Sequence, residues 1–240
     1  MKFKKTKKDE KHKDTSSIGG IPFFATVISL IILSVSNAAS LKYLWDENAL
    51  LHSKYMIIGF SLGAWFSYMF FRNSISVLIH ETKHSIVSNL AGNRAKGMKI
   101  DKDSGEFTYE YTRSTAKFNA LIALAPYFLP CFAFLGMLIA GIFFREQHEL
   151  MVAIVASGFG ADIILNFRDV SPIQTDLTRI TGGYKVGVTF VYAINFVILS
   201  FLVAWCWHGW AGVVELLIML WENLSLIVFE IIEKRSQINT

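Results

Sequence analysis

The sequence predicts an all-α polytopic membrane protein of about six transmembrane helices, with a small β-hairpin at its cytoplasmic edge. Three observations carry this expectation. Of 240 residues, 53% are hydrophobic and the mean hydropathy is +0.42, above the range of soluble domains this long. Several apolar runs approach the roughly 20 residues that a helix needs to cross a hydrocarbon core. The cations gather in the gaps, at Lys2–Lys13, Arg94–Lys102, Arg179–Lys185 and Lys234–Arg235, as cytoplasmic flanks collect Lys and Arg.

In chain order the apolar segments are Ile21–Ala39, Tyr55–Phe71, Phe118–Phe144, Leu150–Phe167, Val186–Trp207 and Ala211–Ile232. With the amino terminus inside, Ser40–Lys54 is an outer loop and the second segment returns to the basic stretch Arg94, Lys96 and Lys99. Segments three and four turn outside at Arg145–Glu149, and Arg168–Lys185 is again inside. The last pair leaves and returns through His208-Gly209. Both termini then face the cytoplasm, in the inner membrane. Residues 1–20 form a basic tail, 21–233 a single membrane domain with its functional core at about 55–183, and 234–240 a short tail. Asn37-Ala38-Ala39 is a weak cleavage signal, and the first segment is read as a retained anchor.

A helix from Tyr55 to Leu90 would be about 54 Å long at 1.5 Å per residue, more than one crossing. Either it tilts and projects into the cytoplasm, or it breaks at Arg72-Asn73 and leaves Ser74–Leu90 as a shallow or re-entrant helix. Gly97–Arg113 is different in kind. Met98–Asp101, the turn Asp103-Ser104-Gly105 and Phe107–Tyr111 read as strand, turn and alternating aromatic strand.

The net charge of +4 is accounted for by topology signals, so no nucleic-acid partner is expected. Cys131 and Cys206 both lie in apolar segments, which indicates neither a disulfide framework nor a cysteine metal site.

The chemistry concentrates in His80-Glu81-Thr82-Lys83-His84. Two histidines four apart share one face of a helix and can bind one ion through imidazole nitrogen. A Glu beside such a pair takes a proton from the attacking water in zinc hydrolases. Ionisable groups beside an apolar run are costly, hence functional by default; the bland alternative is a solvated helix end, which Lys83 would suit. A third ligand must come from far along the chain. Asp176 is the first choice, on the same predicted side; Asp162 is the rival, as ligand, as hydrogen-bond partner of a ligating His, or as a pair within the bundle. Asp169 is a weaker third, read as a turn or helix-end residue. His52, His148 and His208 fall on the opposite side, and His12 lies in the tail. Gly136 and Gly141, with Ala133 and Ala140, are read as close-packing positions, and Trp205, Trp207 and Trp210 as an interfacial belt.

The motif helix, the following Ser85–Asn93 with Gly92, the basic hairpin, and two apolar segments ending in Asn166 through Pro172 to Asp176 resemble the site-2-protease family of intramembrane zinc metalloproteases. The resemblance covers roughly Tyr55–Gly183 and is greatest to compact members lacking a PDZ domain. It implies one zinc per chain held by His80, His84 and Asp176, with Glu81 as general base. Asn166 and Pro172 match positions that precede the Asp, and Gly97–Tyr111 would line the substrate path. Lys83 and Leu177 depart from the pattern, each replacing a Gly, and a long cation at 83 would obstruct close helix packing.

Peptide-bond hydrolysis in or next to transmembrane segments is therefore the expected function, with a membrane protein as substrate and the lipid bilayer as surroundings. The alternative is a catalytically inactive relative acting as membrane scaffold or partner. A metal transporter or sensor fits less well, because its polar groups would run along several spans. The substrate's identity and the oligomeric state are not legible.

Overall fold

The structure, a computed structural model, describes residues 2–4 and 18–238. Most of the basic amino-terminal tail, including His12, lies outside the described residues. The helices are α1 (Gly20–Tyr43), α2 (Glu47–Phe70), α3 (Ser74–Leu90), α4 (Asn119–Leu124), α5 (Cys131–Phe143), α6 (His148–Arg168), α7 (Thr175–Thr178) and α8 (Gly183–Ile238). The strands are β1 (Lys2–Lys4), β2 (Arg94–Ile100) and β3 (Gly105–Glu110).

Three helical stretches are long and apolar enough to cross a bilayer: α1, α6 and Gly183–Leu226 of α8. The pair Ala116–Tyr127 and Cys131–Phe143, bent by 71°, adds a fourth if counted as one span. This is fewer than the six expected. The Ser, Gly, Tyr and Trp residues of α2 dilute its hydropathy. The fifth and sixth apolar segments belong to one run, α8, broken at Gly209, whose φ of 62° and ψ of −147° leave the helical region.

The second apolar run resolves into two helices. Phe71 and Asn73 depart from helical geometry, and Asn73 has a φ of 51°, a region that Asn tolerates better than most residues. At this break the Arg168 guanidinium donates to the carbonyl oxygen of Phe71 and also to that of Ser67, which accepts from the Phe71 amide as well. Asp46 caps the other end of α2, its side chain accepting from the Ala49 amide at 2.7 Å.

Small residues set how closely the helices pack. Gly59 and Gly63 of α2 lie against the backbone carbonyls of Ala153 and Ser157 on α6, and Gly160 of α6 against that of Phe60. A methyl group at any of the three would collide with backbone, which cannot give way. Of the glycines singled out in the sequence, Gly136 does face α6 at Ile154 and Val155, with Ala133 and Ala140 buried beside it; Gly141 faces open space.

The hairpin forms as an antiparallel β2–β3 pair with a bulge between Ala95 and Gly97, and β1 adds a parallel third strand against β3. The tryptophan reading needs correction. Trp205 and Trp207 are buried, and the Trp207 indole donates to Ser53 Oγ at 2.8 Å; Trp210 alone of the three is exposed. Buried indole N–H groups require such partners.

Candidate metal centre

The geometry of α3 follows from its sequence. Ser74–Leu90 starts immediately after the break at Asn73 and turns one face, Glu81, Lys83, His84, Val87 and Ser88, into the protein. His80 and His84, one turn apart, stand with ring centroids 5.1 Å apart and nearly perpendicular. Each points Nε2 at one oxygen of Asp176: Oδ2 is 3.5 Å from His80 Nε2 and 3.2 Å from His84 Nε2. Asp176 reaches them from α7, which is pinned because the adjacent Leu177 is fully buried in an apolar cluster with Tyr127, Ile180 and Phe190.

The second ring nitrogens determine what the first can do. His84 Nδ1 lies 2.7 Å from the Ile122 carbonyl oxygen. A carbonyl only accepts, so Nδ1 carries a proton, and Nε2 is the nitrogen that faces Asp176 and can give its lone pair to a bound cation. His80 Nδ1 faces Asp169 Oδ2 at 3.5 Å. Asp169 ends α6 as its C-cap residue, in line with the turn or helix-end reading, and also stands behind a histidine of the motif.

Glu81 completes the cluster. His80, Glu81 and His84 each offer a ligand atom within 4.8 Å of one another, and Glu81 Oε2 is buried without a hydrogen-bond partner among the described residues. Gly105 of β3 packs onto this side chain, where any Cβ would collide with Glu81 and Val77. The hairpin thus forms a wall of the site, and an open cleft of about 650 Å³ is lined by His80, Glu81, Lys102, Gly105, Asp169 and Asp176 among others.

Burial disfavours an imidazolium at His80, but Asp169, Asp176 and Glu81 outweigh it and raise the pKa from 6.5 to about 9. Burial likewise disfavours the Asp176 carboxylate, yet His84 and His80 hold it well below the ordinary carboxylate range. Three carboxylates around two imidazoles make this a centre that stabilises positive charge. Two imidazole nitrogens and one carboxylate oxygen are also the donor set of a catalytic zinc site that leaves one position open, so the residues fit such an ion.

Asp162 is held elsewhere. Its Oδ1 pairs with Lys83 Nζ at 3.2 Å, and its Oδ2 accepts from the amides of Phe132 and Ala133 at 2.8 and 2.9 Å, in the first turn of α5. The same Lys83 ammonium donates to Asn166 Oδ1 at 2.7 Å, and Asn166 Nδ2 donates to Asn195 on α8. Lys83 therefore does not obstruct helix packing as expected. It turns inward and joins α3 to α6. Leu177 is accommodated similarly, since Gly187 of α8 lies against the backbone and side chain of Leu177 where a larger residue would crowd them.

His52, His148 and His208 bond instead to backbone carbonyls of Trp207, Cys206 and Leu44, away from the motif. Sequence reasoning overlooked Tyr127, whose ring meets His80 edge-on at 5.5 Å, and Asn195, which donates to the Tyr127 carbonyl at 2.7 Å. An Asn inside an apolar segment was a usable signal for the latter; a Tyr among aromatics is not.

Bilayer-length helices and a buried His, Glu, His and Asp cluster at a cleft define an integral membrane protein with a candidate metallohydrolase centre. A family model described as Peptidase M50B-like matches residues 56–236, and the chain belongs to that family, within the site-2-protease group. The family's members are in general zinc metalloproteases. No curated protein and no solved structure matches the chain.

Proposed function

We propose that the protein is an intramembrane zinc metalloendopeptidase that hydrolyses peptide bonds in or next to the transmembrane segments of other membrane proteins. One observation carries the reading: the Nε2 atoms of His80 and His84 converge on Asp176 Oδ2 beside a buried Glu81 oxygen that lacks a partner. His80, His84 and Asp176 would hold one zinc ion per chain, with Asp169 and the Ile122 carbonyl orienting the two rings. Bound there, zinc supplies Lewis acidity, which makes water a nucleophile near neutral pH and polarises the scissile carbonyl.

Glu81 takes the proton of the attacking water and returns it to the departing amide nitrogen, whose bond to the carbonyl carbon breaks. A helical substrate must first unwind, because its carbonyls are engaged in its own hydrogen bonds. The unwound stretch can lie as an added strand against the Gly105 end of β3, which β1 leaves uncovered. In this reading the protein sits in the inner membrane with both termini cytoplasmic, and the centre opens toward that side.

Purified protein should hold about one zinc per chain, as a site with three protein ligands does. It should also cleave a membrane-protein substrate in a way that Glu81→Gln abolishes without loss of the metal. Zinc retained with no cleavage dependent on Glu81 would favour the inactive scaffold instead.

A further inference from the structure

Tyr127 ends the short helical turn Ala125–Tyr127, just before the bend that leads into α5. Its side chain is 1% exposed, and its ring is perpendicular to that of His80 with centroids 5.5 Å apart. The backbone here is fixed independently, because Asn195 Nδ2 donates to the Tyr127 carbonyl at 2.7 Å and Asn195 is tied through Asn166 to Lys83. The hydroxyl itself is buried with no hydrogen-bond partner among the described residues. Leaving such a group unsatisfied is costly, so a buried phenol of this kind calls for an acceptor that arrives with a ligand. The neighbourhood indicates which ligand. The Tyr127 ring lies against that of His80, beside which stand the three carboxylates of the centre, Asp169, Asp176 and Glu81. Those three cannot donate a hydrogen bond when ionised, and the Glu81 carboxylate serves the attacking water. Two nearby donors are already engaged, His84 Nδ1 by Ile122 and Lys83 by Asp162 and Asn166.

Building on the hydrolase reading, we infer that Tyr127 is a further catalytic residue, its hydroxyl donating a hydrogen bond to the substrate carbonyl oxygen as that atom takes up negative charge. The phenol proton is shared and not transferred, so the atom balance of the hydrolysis is unchanged. Donors placed where charge develops contribute about 10²–10³-fold to the rate in comparable sites.

Tyr127→Phe removes only the hydroxyl and keeps the ring against His80, so it separates this role from packing. The variant should hold the same zinc per chain as the parent and lose zinc to a chelator at the same rate. Its kcat should fall by about 10²-fold or more with KM unchanged. A phosphinic peptide, whose charged oxygens imitate the tetrahedral stage, should bind the zinc-loaded variant at least tenfold more weakly than the parent, while a peptide of the same sequence with an ordinary amide binds equally. Unchanged phosphinate affinity overturns the assignment. So does faster zinc loss, which would make Tyr127 a support for Asp176. A parent chain that binds the phosphinate but cleaves nothing sinks the hydrolase reading while leaving the Tyr127 contact measurable; a parent that binds neither sinks both.

Discussion

Lys83 Nζ lies 3.2 Å from Asp162 Oδ1, with both side chains almost wholly removed from solvent. One comes from the zinc-motif helix and the other from the middle of α6, and Asp162 also caps the first turn of α5. The residue that departs from the family's motif and the residue that looked like a rival metal ligand are therefore each other's partner.

Breaking that pair should be costly. Lys83→Met keeps most of the volume but leaves a buried carboxylate facing only two amides, and a loss of about 3–5 kcal/mol is expected. Lys83→Gly should do worse by adding a cavity. Thermal unfolding in detergent would show both, and the double variant Lys83→Met with Asp162→Asn should recover part of the loss.

Metal content separates the two aspartates. Asp176→Ala should lower zinc per folded chain well below one, whereas Asp162→Ala should destabilise the fold while the folded fraction keeps its zinc. Elemental analysis of the monodisperse fraction makes the measurement; zinc lost only in Asp162→Ala would refute the assignment.

Asp169 orients a ring and does not hold the ion in the reading above. Asp169→Asn is expected to weaken zinc affinity by about 10–100-fold, the usual effect of removing a carboxylate behind a ligating His. Competition against a chromophoric chelator gives the number.

Zinc affinity should depend on pH with a definite sign. His80, with its pKa raised to about 9 in the metal-free protein, carries a proton at pH 7 that zinc must displace. Apparent affinity should therefore climb by about tenfold per pH unit from pH 7 toward 9 and then level off. Calorimetry in buffers of different ionisation enthalpy should register about one proton released per ion near neutrality.

Gly105 can be tested without touching a candidate ligand. Because a Cβ there would strike Glu81, Gly105→Val should displace the hairpin or the base and reduce cleavage more than tenfold, an effect of misplacement, with zinc content preserved. Cleavage at the parent rate would show that the β3 wall does not position Glu81.

Much of this molecule is written in local patterns. The spacing of His80 and His84 places them one turn apart on any helix, and the alternation of Phe107, Tyr109 and Tyr111 suits a strand under any tertiary arrangement. Apolar length likewise announces α1 and α6, because a helix in lipid must satisfy its backbone alone. Other features depended on residues distant in sequence. The break after Phe70 is held by Arg168, nearly a hundred positions later, and no window around Arg72-Asn73 contains that partner. Lys83 looked obstructive until α6 supplied Asp162, and Asp169, a helix-end residue as read, acquired a second part only when the fold set it behind His80. Charge at depth needs a partner, but sequence states only the need; the packing of α3 against α6 and α7 decides which residue meets it.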